Sequence, residues 1–142
     1  MWKAGLRVGF SVEGAADKQL AECVLKQPIL FLIRANSRPD RPEGWYCPDC
    51  ALVEGVLAYY PQLRAAIDVR DVDFDRPRTA IIALVGEAFQ DSPCLLLDPS
   101  VGPAEAPVIN GWRVITENTR LLLDTLPLLA NGVGKSGTGS LF

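Results

Sequence analysis

Trp45-Tyr46-Cys47-Pro48-Asp49-Cys50 stands between an apolar run, Pro28-Ile29-Leu30-Phe31-Leu32-Ile33-Arg34, and a stretch in which Val53, Val56, Leu57 and Tyr60 recur at helical spacing. The unbroken apolar run predicts a strand buried on both faces. Pro48 has the fixed φ and missing N–H that suit the first position of a helix, so the helix begins there. Cys47 then falls at the capping end and Cys50 one turn further in. At such an end the unpaired N–H groups and the helix dipole stabilise a thiolate. The second cysteine is within reach to form or open a disulfide. In an intracellular chain this arrangement reads as a redox motif first.

Outward from this stretch the elements alternate. Residues 35–46 form a loop marked by Pro39, Pro42 and Gly44. Pro61 bends or ends the first helix. Ile67 to Phe74 predicts a second strand, with β-branched residues alternating with Asp and Arg. Pro77 opens a second helix bearing Ala80, Ile81, Leu84 and Val85. Cys94-Leu95-Leu96-Leu97 predicts a third strand, residues 98–111 a loop, and Trp112-Arg113-Val114-Ile115 a fourth strand. Thr116 or Glu117 starts the last helix, whose apolar positions are Leu121, Leu122, Leu126 and Leu129. Residues 1–27 read as an extension outside the core, consistent with an upstream start of translation. Within it, residues 15–25 are able to form a short helix. Residues 131–142 read as a disordered Gly/Ser tail, too poor in apolar side chains to order itself. One domain, residues 28–130, remains.

Composition narrows the function classes. The chain has 142 residues, 49% of them apolar, which suffices for one core. A net charge of −3 and no basic stripe argue against nucleic acid, which needs clustered Lys and Arg. No apolar run approaches the ~20 residues of a membrane span. The first residues carry Gly9, Ser11, Glu13 and Gly14 in place of an apolar secretory core, so the expected compartment is the cytoplasm. The chain has no histidine, which removes Ser-His-Asp and Cys-His catalysis and His-ligated metals. Zinc is the rival use of a C-x-x-C pair. It needs four ligands, and the remaining thiols are Cys94, in a strand where cysteine behaves as a small buried hydrophobe, and Cys23, outside the core. No metal site is therefore expected, and no cofactor.

Set beside the C-x-x-C, Ser92-Pro93-Cys94-Leu95-Leu96-Leu97 gives the chain a family resemblance. The order β-α-β-α-β-β-α resembles the thioredoxin/glutaredoxin fold, an α/β domain with a central mixed four-stranded sheet flanked by helices. Thioredoxin-like proteins carry a cis-proline just before the third strand, against the active cysteines, and Pro93 matches it. Val114-Ile115-Thr116-Glu117-Asn118 and the following leucines look like the close of a glutathione transferase N-terminal domain. There the acidic residue holds the γ-glutamyl end of glutathione. Glu117 matches it, whereas Asn118 stands where that family usually has serine. The whole chain looks most like a family of small bacterial thioredoxin-like proteins of unassigned function. The resemblance implies a thiol–disulfide oxidoreductase acting on protein disulfides or on glutathione, the latter as co-substrate. The competing expectation is a non-enzymatic binding module, in which the long 35–46 loop covers Cys47 and the dithiol is structural or idle.

Several residues then carry definite expectations. Cys47 is the attacking thiolate and Cys50 the resolving thiol. Asp49 opposes the Cys47 charge, by about 1 kcal/mol at ~4 Å in water, which predicts a reductant-like or poorly reactive dithiol. Trp45 and Tyr46 either wall a partner peptide or thiol, or pin the loop to the core. Arg76 and Arg78, flanking Pro77, either clamp a carboxylate or phosphate or pair with Asp73 and Asp75. Ser92 joins Pro93 at the substrate side. Glu54, four residues after Cys50, is either its proton acceptor or a solvated surface group.

Overall fold

A computed structural model describes residues 25–134. The expected helix within residues 15–25, and most of the two terminal segments, lie outside the described residues. Five strands form one mixed sheet: β1 (Ile29–Ile33), β2 (Asp68–Val72), β3 (Cys94–Leu97), β4 (Val108–Ile109) and β5 (Trp112–Thr116). Their order across the sheet is β2-β1-β3-β5-β4. β1 and β2 run parallel, and the other neighbouring pairs are antiparallel. The parallel pair requires a crossover, which two helices supply, α1 (Pro48–Tyr59) and α2 (Pro61–Ala66). α3 (Thr79–Val85) links β2 to β3, and α4 (Thr119–Thr125) follows β5.

β1 is an interior strand with both faces buried. Leu30 and Leu32 point to one side, with Val53, Leu57, Leu63, Leu122 and Leu126 of α1, α2 and the C-terminal helical turns. Ile29 and Phe31 point to the other, with Ile81 and Val85 of α3. The two-residue period of a strand thus feeds two apolar layers, and helices cover both.

The sheet has five strands where the sequence reading has four. β4 lies in the segment read as loop, and its turn explains it. Asn110 and Gly111 have φ of 51° and 82°, the two left-handed positions of a tight hairpin, which Asn-Gly fills at little cost. Pro61 also does more than end a helix, since it occupies the first turn of α2. The last helix starts at Thr119 with Asn118 as its cap, later than Thr116 or Glu117. Among the described residues no helix is long and apolar enough to cross a membrane.

Topology places the chemistry. Phe31 pairs with Cys94, so the end of β1 and the start of β3 meet at one end of the sheet. The chain leaving β1 reaches α1 there, and Ser92-Pro93 enters β3 there through a cis peptide bond.

Candidate functional site

The site is built on the first turn of α1. Cys47 is the N-cap, with extended backbone (φ −85°, ψ 116°), and its sulfur accepts the Cys50 N–H at 3.2 Å. Its own carbonyl accepts from Ala51 N at 2.9 Å. Cys47 is half-buried and Cys50 buried, and both are unbridged thiols. Cys50 Sγ lies 3.6 Å from Ser92 Oγ and accepts the Ile33 N–H at 3.4 Å. Ser92 Oγ donates to the Phe31 carbonyl at 2.8 Å. The Cys50 thiol is thereby fixed between the end of β1 and the turn before β3.

These contacts split the two thiols. The hydrogen bond from the Cys50 thiol, followed by the backbone N–H groups of Cys50 and Asp49, lowers the Cys47 pKa from 9.0 to about 6. Burial and the Asp49 carboxylate oppose this and are outweighed. The sign expected for Asp49 is present, but its backbone N–H helps the thiolate that its side chain repels. Cys50 moves far up, because its proton is held by Cys47 and because it is buried. Ile33 N–H and Ser92 pull it partly back. One proton is thus held between two sulfurs, and Cys47 carries the negative charge at neutral pH.

The aromatic pair before Cys47 divides. Trp45 packs edge-on against Phe74, with ring centres 5.0 Å apart, and exchanges hydrogen bonds with Asn36. Arg38 stacks on the same Phe74 ring, and Phe74 N donates to Ser37 Oγ. Phe74 therefore pins the 35–46 segment beside the site, with Trp45 as an anchor. Tyr46 is exposed next to Cys47.

The arginines divide as well. Arg78 is buried, and its guanidinium donates to the carbonyls of Asp73, Phe74 and Gln90. It staples the turn before α3. Arg76 pairs with Asp91, and Asp73 is taken by Arg34, so neither arginine makes the expected pair with Asp73 or Asp75. Glu117, at φ 61°, hydrogen-bonds Asp91. The Glu117 hydrogen bond and the Arg76 guanidinium hold Asp91 below its usual value, and Asp91 raises Glu117. Asn118 accepts the Leu121 N–H at 3.0 Å and so caps α4. Glu54 pairs with Arg64 on the surface, away from Cys50.

Cys94 is buried in β3, and desolvation pushes its thiol up to about 12. Among the described residues no three of His, Cys, Asp and Glu converge as a metal site. Sequence reading missed Asp91 and Phe74. Asp91 had a signal in its place directly before Ser92-Pro93, whereas the role of Phe74 arises only from tertiary packing.

The fold and site define a mixed α/β domain carrying a helix-capped dithiol, one thiol half-exposed and the other buried. Residues 27–131 match the family described as protein of unknown function (DUF3088), and the chain belongs to that family. No curated protein and no solved structure matches it.

Proposed function

We propose that the protein is a thiol–disulfide oxidoreductase of the thioredoxin-like class, which passes two electrons from Cys47 and Cys50 to a disulfide. One observation carries this reading: a half-exposed cysteine caps α1 as the lower-pKa thiol, and a buried protonated thiol sits one turn behind it. The strand order β2-β1-β3-β5 and the position of Pro93 support the class. Cys47 thiolate attacks one sulfur of a substrate disulfide and expels the other as a thiolate. Cys50 then loses its proton to solvent and attacks Cys47 Sγ. That step closes the Cys47–Cys50 disulfide and releases the second substrate thiolate. Protein disulfides and glutathione mixed disulfides are the substrate classes. For glutathione, the carboxyl groups of Glu117 and Asp91 are the candidates to hold the γ-glutamyl ammonium.

The competing reading, a binding module with an idle dithiol, draws on the packed 35–46 segment beside a Cys47 that is only half-exposed. Disulfide reduction by the variants separates the two. Cys47→Ser abolishes reduction, and Cys50→Ser accumulates a mixed disulfide that mass spectrometry detects. Equal loss in both variants with no adduct is the outcome of an idle or structural pair.

A further inference from the structure

The Ser92 hydroxyl has one proton and two acceptors within reach. It donates that proton to the Phe31 carbonyl at 2.8 Å, and 3.6 Å away lies the buried Cys50 sulfur. While Cys50 is a thiol, the hydroxyl proton belongs on the carbonyl, the stronger acceptor. When Cys50 ionises to attack Cys47, the balance reverses. A buried thiolate is left with the Ile33 N–H at 3.4 Å as its backbone donor. A thiolate accepts more strongly than a neutral amide carbonyl, because hydrogen bonds to charged groups exceed neutral ones.

We infer that Ser92 is a positioning residue for the resolving step: its hydroxyl turns from the Phe31 carbonyl to Cys50 Sγ as that thiolate forms. This rests on the proposed dithiol chemistry and assigns Ser92 to the second half of the reaction. The Cys50 proton leaves to solvent, the Cys50–Cys47 bond forms, and the bond from Cys47 to the substrate sulfur breaks. Phe31 stays paired with Cys94 in the sheet as it releases the hydroxyl proton. Cys47 takes its donors from Cys50 and the backbone of the first turn of α1, so Ser92 reaches it only through Cys50.

The test uses the reduced full chain and an excess of an aromatic disulfide whose released thiolate is coloured. The first equivalent reports attack by Cys47. The second, independent of reagent concentration, reports resolution by Cys50. In Ser92→Ala the pH midpoint of the second phase rises by about one unit and its rate at neutral pH falls about tenfold, the scale of a hydrogen bond to a charged group. The midpoint of the first phase moves by less than that of the second, because Ser92 touches Cys50 and not Cys47. Ser92→Thr keeps the wild-type second phase, and the isosteric Ser92→Val behaves as Ser92→Ala. That pair holds the test if the alanine variant does not fold. An unmoved second midpoint in the variants lacking the hydroxyl overturns the role of Ser92 while leaving the dithiol chemistry standing. Absence of a first phase in the wild type overturns the dithiol chemistry itself, and the role of Ser92 with it.

Discussion

Cys47 and Cys94 lie at the same end of one sheet, and their thiols behave in opposite ways. Cys94 sits in β3 with its backbone groups spent on strand neighbours. Burial there drives its pKa to about 12. Cys47 is also partly desolvated, yet its pKa falls to about 6. The difference lies in the donors. Cys47 receives the Cys50 thiol first and then the free N–H groups of a helix start, whereas a strand interior has no backbone donors to spare. Proximity to the site therefore does not make a cysteine reactive; the local element does. Cys50 adds that position within the element matters too. It is on the same turn as Cys47, but its sulfur holds the shared proton.

The strongest challenge to this contrast removes the largest contribution. Cys50→Ala deletes the thiol that donates to Cys47 while leaving the backbone N–H in place. The Cys47 midpoint is expected to rise from about 6 by more than one unit, staying below the ordinary thiol value. Thiolate absorbance against pH measures it. A smaller effect falls on the other side of the comparison. Cys94→Ser puts a hydroxyl into an apolar layer and costs about 1–3 kcal/mol of stability by urea unfolding, with the Cys47 midpoint unmoved. A moved midpoint would mean that the two ends of the comparison are coupled. The smallest effect is that of Asp49→Asn. It lowers the Cys47 midpoint by well under ~1 unit, since water screens the first turn. Salt narrows the gap between variant and parent. An unchanged midpoint would leave the backbone N–H as the whole contribution of Asp49.

Stability follows the same proton. Cys47 binds its proton more weakly folded than unfolded, so between pH ~6 and ~9 the unfolded chain carries more protons. The reduced protein is therefore expected to gain stability as pH rises through that window, and to lose the gain as pH falls through about 6. Cys47→Ser removes that slope, which urea unfolding at several pH values reads directly.

Much of the architecture was legible because its signals are local. Ile29–Ile33 reads as a buried strand from its unbroken apolar run, and Pro48 places the start of α1. The spacing of Cys47 and Cys50 then locates the pair on the first turn. β4 was not legible from periodicity, because two residues show none, although Asn110-Gly111 marked its turn. α2 was hidden behind Pro61, which opens a helix as readily as it closes one. In the site, the pairing of Arg76 with Asp91, the burial of Arg78 and the anchoring of Trp45 on Phe74 depend on segments far apart in sequence. Residue type at Arg76 and Arg78 suggested either an anion clamp or pairing with Asp73 and Asp75. Only packing shows that one guanidinium is consumed by three carbonyls and the other by a carboxylate.

The chemistry of the pair depends on which sulfur is ionised at neutral pH and what makes it so. The rate of iodoacetamide alkylation of Cys47 in the reduced protein, followed by mass spectrometry across pH, reads this directly. A midpoint near 6, with Cys50 and Cys94 unmodified through neutral pH, is the result predicted by the helix-cap geometry. A midpoint near 9, or alkylation of Cys50 ahead of Cys47, would contradict it.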